Sequence, residues 1–353
     1  MDSRRVRRRR VSPPLVTLAI FLLFFCAAAL LNLAAPMATA ESRTFVRSVS
    51  WGVWRAVASA AIVLFLVLLV VAVRILRHPQ QWGLLGAPRR LRNYLLLAIV
   101  AIGAFATFMV SNRASPDLPV RALGLRTLAV LLAGLLASVP WLALVWLAHA
   151  ECEDLSVAVS RLPGKDIPES TGAAGDAPPT ALAASATPVA NVAGSADGVS
   201  EEDAGYGAVV GRLLDVWQLM TTCVGAFALG VVAAILSSGA LRAAFVAEHP
   251  RRAGEFPPSN VLLYGAFFAV ILTVITLPLA FSWRTRARQL VQRAYPLPPD
   301  GRPTEAWVAA RGRLEKLLHL DVSLLRNPLT ALSIFTPLIT AALAAFIPQL
   351  GGG

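Results

Sequence analysis

Five residues of metal-ligating types crowd one short stretch, "HAECED": His149, Glu151, Cys152, Glu153 and Asp154. Imidazole, thiolate and carboxylate together would suit zinc, which takes four ligands in a tetrahedron. No second ligand pair completes such a site, because His78, His249 and His319 stand singly in other connections. The stretch therefore reads as an acidic helix terminus, and we assign no metal residue. Other chemistries lack their motifs too. There is no His-Glu-x-x-His pair, no Gly-x-Ser-x-Gly elbow and no Gly-rich phosphate loop ending in Lys-Ser or Lys-Thr. No catalytic or cofactor-binding residue is assigned, and no cofactor is expected.

The second group with chemical character is cationic. Arg284, Arg286 and Arg288 follow an apolar run in "WRTRARQLVQR". After the breaker "YPLPPDGRP", the stretch "TEAWVAARGRLEKLLHLDVSLLR" predicts a helix from Thr304 to Arg326, with Thr304 as its N-cap. Trp307, Leu314, Leu318, Val322 and Leu325 recur at helical spacing on one face, with Arg311, Arg313 and Lys316 on the same element. A basic amphipathic helix joined to an apolar segment has two uses. It lies in the headgroup layer, or it packs against the ends of a helix bundle and offers a surface to a partner. Arg284, Arg286, Arg288, Trp307, Arg311, Arg313, Leu314, Lys316 and Leu318 are the candidates for that surface.

What must position these residues is a set of apolar segments. The chain of 353 residues is 56% hydrophobic and only 15% charged, against roughly 25% charged in soluble domains. Seven runs are long enough for about twenty helical residues, the number that crosses ~30 Å of hydrocarbon. They are Leu15 to Ala35, Val53 to Val73, Tyr94 to Val110, Leu128 to Ala148, Leu213 to Leu241, Val261 to Phe281 and Leu329 to Ile347. All are apolar on every face, which excludes the alternation of a membrane β-barrel. The expected fold is an all-α integral membrane protein with seven transmembrane helices. Ala38-Thr39-Ala40 has the small-x-small pattern of a signal-peptidase site. Cleavage there would leave six spans, but the apolar run before it is longer than a signal peptide needs, so a retained anchor is expected.

Charge sets the orientation. The net charge is +12, carried almost wholly by arginine, since Lys165 and Lys316 are the only lysines. Arginine gathers at 1–14, 74–92 and 283–326, which places the N-terminus and those connections in the cytoplasm and the C-terminus outside. The plasma (inner) membrane of a bacterium is the expected site, the bacterial origin being read from heavy arginine and alanine usage. The positive charge then implies anionic lipid head groups as partners, not nucleic acid, because no basic patch with interleaved aromatics occurs.

The organisation follows: a basic tail (1–14), an N-terminal membrane half (15–150), a linker (151–212), two spans (213–282), a basic loop with the amphipathic helix (283–326), and a last span with a short tail (327–353). The linker is acidic and rich in Ala, Pro and Gly, and is expected to be disordered. In the fifth run, Ala226, Gly230 and Ala234 repeat every four residues and predict close helix packing. Thr221, Thr222, Thr273 and Thr276 either line a path or bond their own backbones, the latter being commoner. No Asp, Glu, Lys or Arg lies near the middle of a run, which lowers ion-coupled transport. The leading expectation is a non-catalytic scaffold or regulatory subunit acting through the basic cytoplasmic helix on a protein partner. A permease or channel component for a small solute is second, and an intramembrane lipid-modifying enzyme third.

Overall fold

The computed structural model describes residues 13–33, 40–85, 87–111, 123–162, 201–299, 301–320, 336 and 338–344. Their regular structure is entirely helical: α1 (Pro13–Leu33), α2 (Ala40–Arg47), α3 (Val49–Arg77), α4 (Ala87–Ser111), α5 (Leu123–Arg161), α6 (Glu201–Glu248), α7 (Pro258–Ala294) and α8 (Glu305–Leu317), with a further helical stretch at 338–344. The five helices α3 to α7 are long and apolar enough to cross a membrane, and α1 adds a shorter apolar stretch, Leu18–Leu31. The first apolar run thus appears as a helix, while most of the seventh lies outside the described residues, as does the Ala38-Thr39 pair.

α5 and α6 form the centre. α3 packs against both, α7 closes the opposite side, α4 leans on α5, and α1 lies along α3. A single core runs from Ala72 and Ile75 of α3 through Leu144, Leu155, Leu213, Leu219 and Leu290. A second core gathers Phe45, Trp51, Trp54, Phe65, Val130, Ala233 and Leu241 at the end of the bundle away from α8.

The central helices overrun any bilayer. At 1.5 Å per residue, the 48 residues of α6 reach about 72 Å, against ~30 Å of hydrocarbon. The linker expected over 151–212 is corrected at both ends, since α5 continues to Arg161 and α6 begins at Glu201. The reason is apolar periodicity within an acidic composition. Cys152, Leu155 and Val159 on α5, and Val209, Leu213 and Val216 on α6, fall at helical spacing and are buried together. Residues 163–200, the middle of the expected linker, lie outside the described residues.

The amphipathic helix is shorter than expected. Thr304 caps it, its side chain accepting from the Trp307 N–H at 3.3 Å. It then stops at Leu317 rather than Arg326. Leu320 N–H donates to the Glu315 carbonyl and His319 N–H to the Lys316 carbonyl, a Schellman closure with His319 at φ 50 in the position usually held by glycine. Residues 321–335 lie outside the described residues.

The row Ala226, Gly230, Ala234 is not the tightest helix contact. A Cβ at Gly230 would meet Leu68 at 3.9 Å, an ordinary separation. Closer approaches occur elsewhere: a Cβ at Gly239 would lie 2.7 Å from that of Ala344, and one at Gly134 would lie 2.9 Å from the Phe65 ring. Gly134 therefore sets the spacing of α5 and α3. Gly134→Leu should destabilise the bundle by about 1–3 kcal/mol, read as a lower unfolding midpoint. Adding Phe65→Ala should recover part of the loss, and an equal loss in both backgrounds would exclude this contact as its cause.

Candidate functional site

The "HAECED" stretch lies inside α5, not at its end. Successive helical residues turn by ~100°, so adjacent side chains face different neighbours. Glu151, 2% exposed, pairs with Arg212 of α6. Cys152 joins the core. Asp154 takes a two-pronged bond from Arg90 of α4, at 2.9 and 3.0 Å. Glu153 faces His149 one turn back at 3.8 Å. The residues thus diverge, and among the described residues no group of three or more His, Cys, Asp or Glu converges on a metal-sized site.

Around this stretch the ends of α5, α6 and α7 form a head. Trp283 is buried, with its indole N–H donating to the Leu213 carbonyl at 2.8 Å and its ring 4.5 Å from Trp217. Arg293 of α7 donates to the carbonyls of Ser160 and Leu162 at the end of α5. On the far side, Gly83 at φ 69 lets the turn after α3 pass Asp215, whose Cβ would lie 2.8 Å from any side chain there.

α8 is fastened to this head at both ends. At its start, the Trp307 indole donates to the Pro296 carbonyl at 3.1 Å. At its finish, Leu318 is buried in the main core, His319 stacks on Trp217 at 5.4 Å, and Arg284 donates to the Leu320 carbonyl at 3.2 Å. Of the candidate residues, Trp307, Leu314 and Leu318 face inward. Arg311 bonds Glu315 at 2.8 Å and lies over the Trp307 ring. Arg286 bonds Gln289 on its own helix at 3.0 Å. Arg288, Arg313 and Lys316 are exposed. Val308 and Leu317, 52% and 51% exposed, flank Arg313 and Lys316 on the outer face. Sequence reasoning passed over both, because neither fits the inward apolar period.

The second feature is a groove of about 650 Å³, within the ~300–1,000 Å³ range of small-molecule sites. Phe105 of α4, Trp141 and Trp146 of α5, Phe227 and Gly230 of α6, and Phe268 of α7 line it. On α5 it extends from Leu128 to His149, or about 31 Å at 1.5 Å per residue. Ala226, Gly230 and Ala234 border it, so this row of small residues keeps a space open rather than closing a helix crossing. His149 Nδ1, at one end of the groove, is buried without a hydrogen-bond partner among the described residues, while several other polar groups nearby are spent internally. Trp141 donates to the Leu68 carbonyl at 3.2 Å, and Thr273 and Thr276 bond carbonyls one turn back. Thr221 and Thr222 do the same with Gln218.

No family model matches the chain, and no curated protein or solved structure matches it.

The pairs in the head differ in worth. Arg90 and Asp154 are each 40% exposed, so Arg90→Met should cost at most about 1 kcal/mol. Arg212→Met takes the Arg212 charge away from the buried Glu151 carboxylate and should cost about 3–5 kcal/mol. Combining Arg212→Met with Glu151→Leu should recover most of that loss. Equilibrium unfolding of the purified protein measures all three, and equal effects of Arg90→Met and Arg212→Met would refute the ranking.

Proposed function

We propose that this protein is a non-catalytic, multi-pass scaffold or regulatory subunit of the plasma membrane, acting through α8 at the cytoplasmic face. The observation that carries the reading is the mounting of α8. A helix fixed at both ends by Trp307, Leu318 and His319 holds its outer face in a set position. That face presents Arg313 and Lys316 between Val308 and Leu317. Prepositioning spares the ordering entropy that a loose helix would lose on binding. The partner is a protein surface combining acidic and apolar groups.

The proposed topology has seven spans, with α1 retained as the first and 338–344 belonging to the seventh. Arginine bias puts the α8 end inside and the turn Pro250–Glu255 outside. The runner-up reading, a permease component, draws on the groove. Its apolar lining and internally satisfied threonines favour a hydrocarbon-rich passenger over a hydrophilic solute.

Two experiments test these readings. Single cysteines at Ser156 and Ala253, in a background without native cysteines, should differ toward an impermeant thiol reagent on whole cells. Position 253 should label and position 156 should not; the reverse pattern overturns the orientation. For the partner, a photo-crosslinker at Leu317 in intact cells should give a discrete protein adduct. Arg313→Glu with Lys316→Glu should remove the adduct while leaving yield and membrane insertion unchanged. An adduct that survives the charge reversal, or crosslinks to lipid alone, would sink the protein-partner reading.

A further inference from the structure

The end of the bundle away from α8 holds a buried cation without an acceptor among the described residues. Arg126, in the first turn of α5, is 5% exposed, and its Nε, Nη1 and Nη2 are all buried without a hydrogen-bond partner there. Beside it, near the start of α3, Trp51 and Trp54 are buried with their rings 4.6 Å apart. Both indole Nε1 atoms are likewise buried without an acceptor. The Arg126 guanidinium lies 5.7 Å from the Trp51 ring centroid. Three side chains from two packed helices therefore bring five donor nitrogens to one neighbourhood.

Two other arginines at this end are held by protein acceptors. Arg242 donates its Nε to the Phe256 carbonyl at 2.9 Å, although its Nη1 is buried without a partner among the described residues. Arg252 bonds Glu255 through both prongs at 2.8 Å. Among the described residues, neither a carbonyl nor a carboxylate accepts from Arg126. A buried guanidinium without a counter-charge is strongly disfavoured, and attraction to one indole face offsets only part of that. Two helix N-termini, those of α3 and α5, add field of the same sign. What is missing is negative charge together with hydrogen-bond acceptors.

We propose that Arg126, Trp51 and Trp54 form a binding site for an oxyanion of the phosphate type, held by the guanidinium fork and the two indole N–H groups. A tetrahedral oxyanion supplies several acceptors around one centre of charge, and the arginine fork matches two of its oxygens. The source is either an anionic lipid head group or free phosphate, and the chemistry of the site is the same for both. This inference does not depend on the partner proposed for α8.

The test uses the full-length protein in an uncharged detergent. Its melting temperature is followed on titration with inorganic phosphate, at ionic strength held constant with chloride, and separately with phosphatidylglycerol against phosphatidylcholine. A saturable rise with phosphate assigns the site to a free anion. A rise with phosphatidylglycerol alone assigns it to a lipid head group. No rise with either overturns the proposal. Trp54→Phe keeps the ring but removes one donor, so the half-saturating concentration should increase about ten- to a hundred-fold, the worth of one hydrogen bond to a charged group. Arg126→Met should abolish the rise. An unchanged rise in Trp54→Phe places the anion elsewhere and overturns the assignment, even if Arg126→Met does not fold.

Discussion

The Glu151–Arg212 pair sits where the structure changes its means of cohesion. Along the apolar parts of α5 and α6, close packing and internally bonded backbones suffice, as they must in hydrocarbon. Beyond that depth the helices continue as a head, and their polar faces need one another. Glu151 is buried among Cys152, Leu155 and Leu213, so it requires a cation, and Arg212 brings α6 to it. The pair itself contributes little net stability, because both charges must leave water. Its effect is on register, since α5 and α6 cannot slide by a turn without stranding a buried carboxylate. Trp283 then fixes α7 against Leu213, and α8 is built on that platform through Trp217 and His319. The placement of α8 thus follows from the α5–α6 register.

The groove follows from the same arrangement. α5 and α6 are held at the head by charge and at the other end by the core around Trp51 and Trp54. Between those ends, α4 and α7 lean on the central pair, and Phe105 stacks on Phe267 at 6.0 Å to bridge them. Small residues on α6 face this span, and Pro278 of α7 lines it. Proline removes one backbone donor and kinks a helix, which works against close packing of α7 along the groove. An apolar space of this kind is filled by hydrocarbon at no desolvation cost, whereas a polar solute would find few free partners on its walls.

Much of the helical layout was legible because apolar runs of spanning length leave few alternatives. Thr304 was legible as a cap, because a hydroxyl before a helical period has one efficient use. The threonine side chains followed the commoner pattern of bonding their own helix. The extensions of α5 and α6 were hidden by composition. Cys152, Leu155 and Val159 keep a helical period, but three carboxylates (Glu151, Glu153 and Asp154) and a proline-rich neighbour made the region read as a tether. The early stop of α8 was hidden for another reason. Val322 and Leu325 continue the period, while the closure at His319 depends on Trp217 and Arg284, far away in sequence. No local rule foresees a histidine in a glycine position when a stacked indole holds it there. The partners of Glu151, Asp154 and Trp283 lie some sixty to seventy residues off, and a single sequence does not pair them.

Arg126 differs from the bonded arginines at either end of the bundle, and the difference bears on the direction of insertion. At the α8 end, Arg90, Arg212, Arg293 and Arg311 each bond an acid or a free helix carbonyl. Those arginines are tied into structure at the face where, in the proposed orientation, positive charge is retained anyway. In the proposed orientation, Arg126 and Arg242 have crossed the membrane against that bias and are then buried. Carrying a guanidinium across hydrocarbon and leaving it out of water is unfavourable twice over. Fold stability gains nothing from Arg126, since an apolar side chain would pack the same seam without desolvating a charge. A cation kept under those conditions is where a function should be sought, and its buried surroundings of unpaired indole donors limit that function to groups that accept hydrogen bonds and carry negative charge.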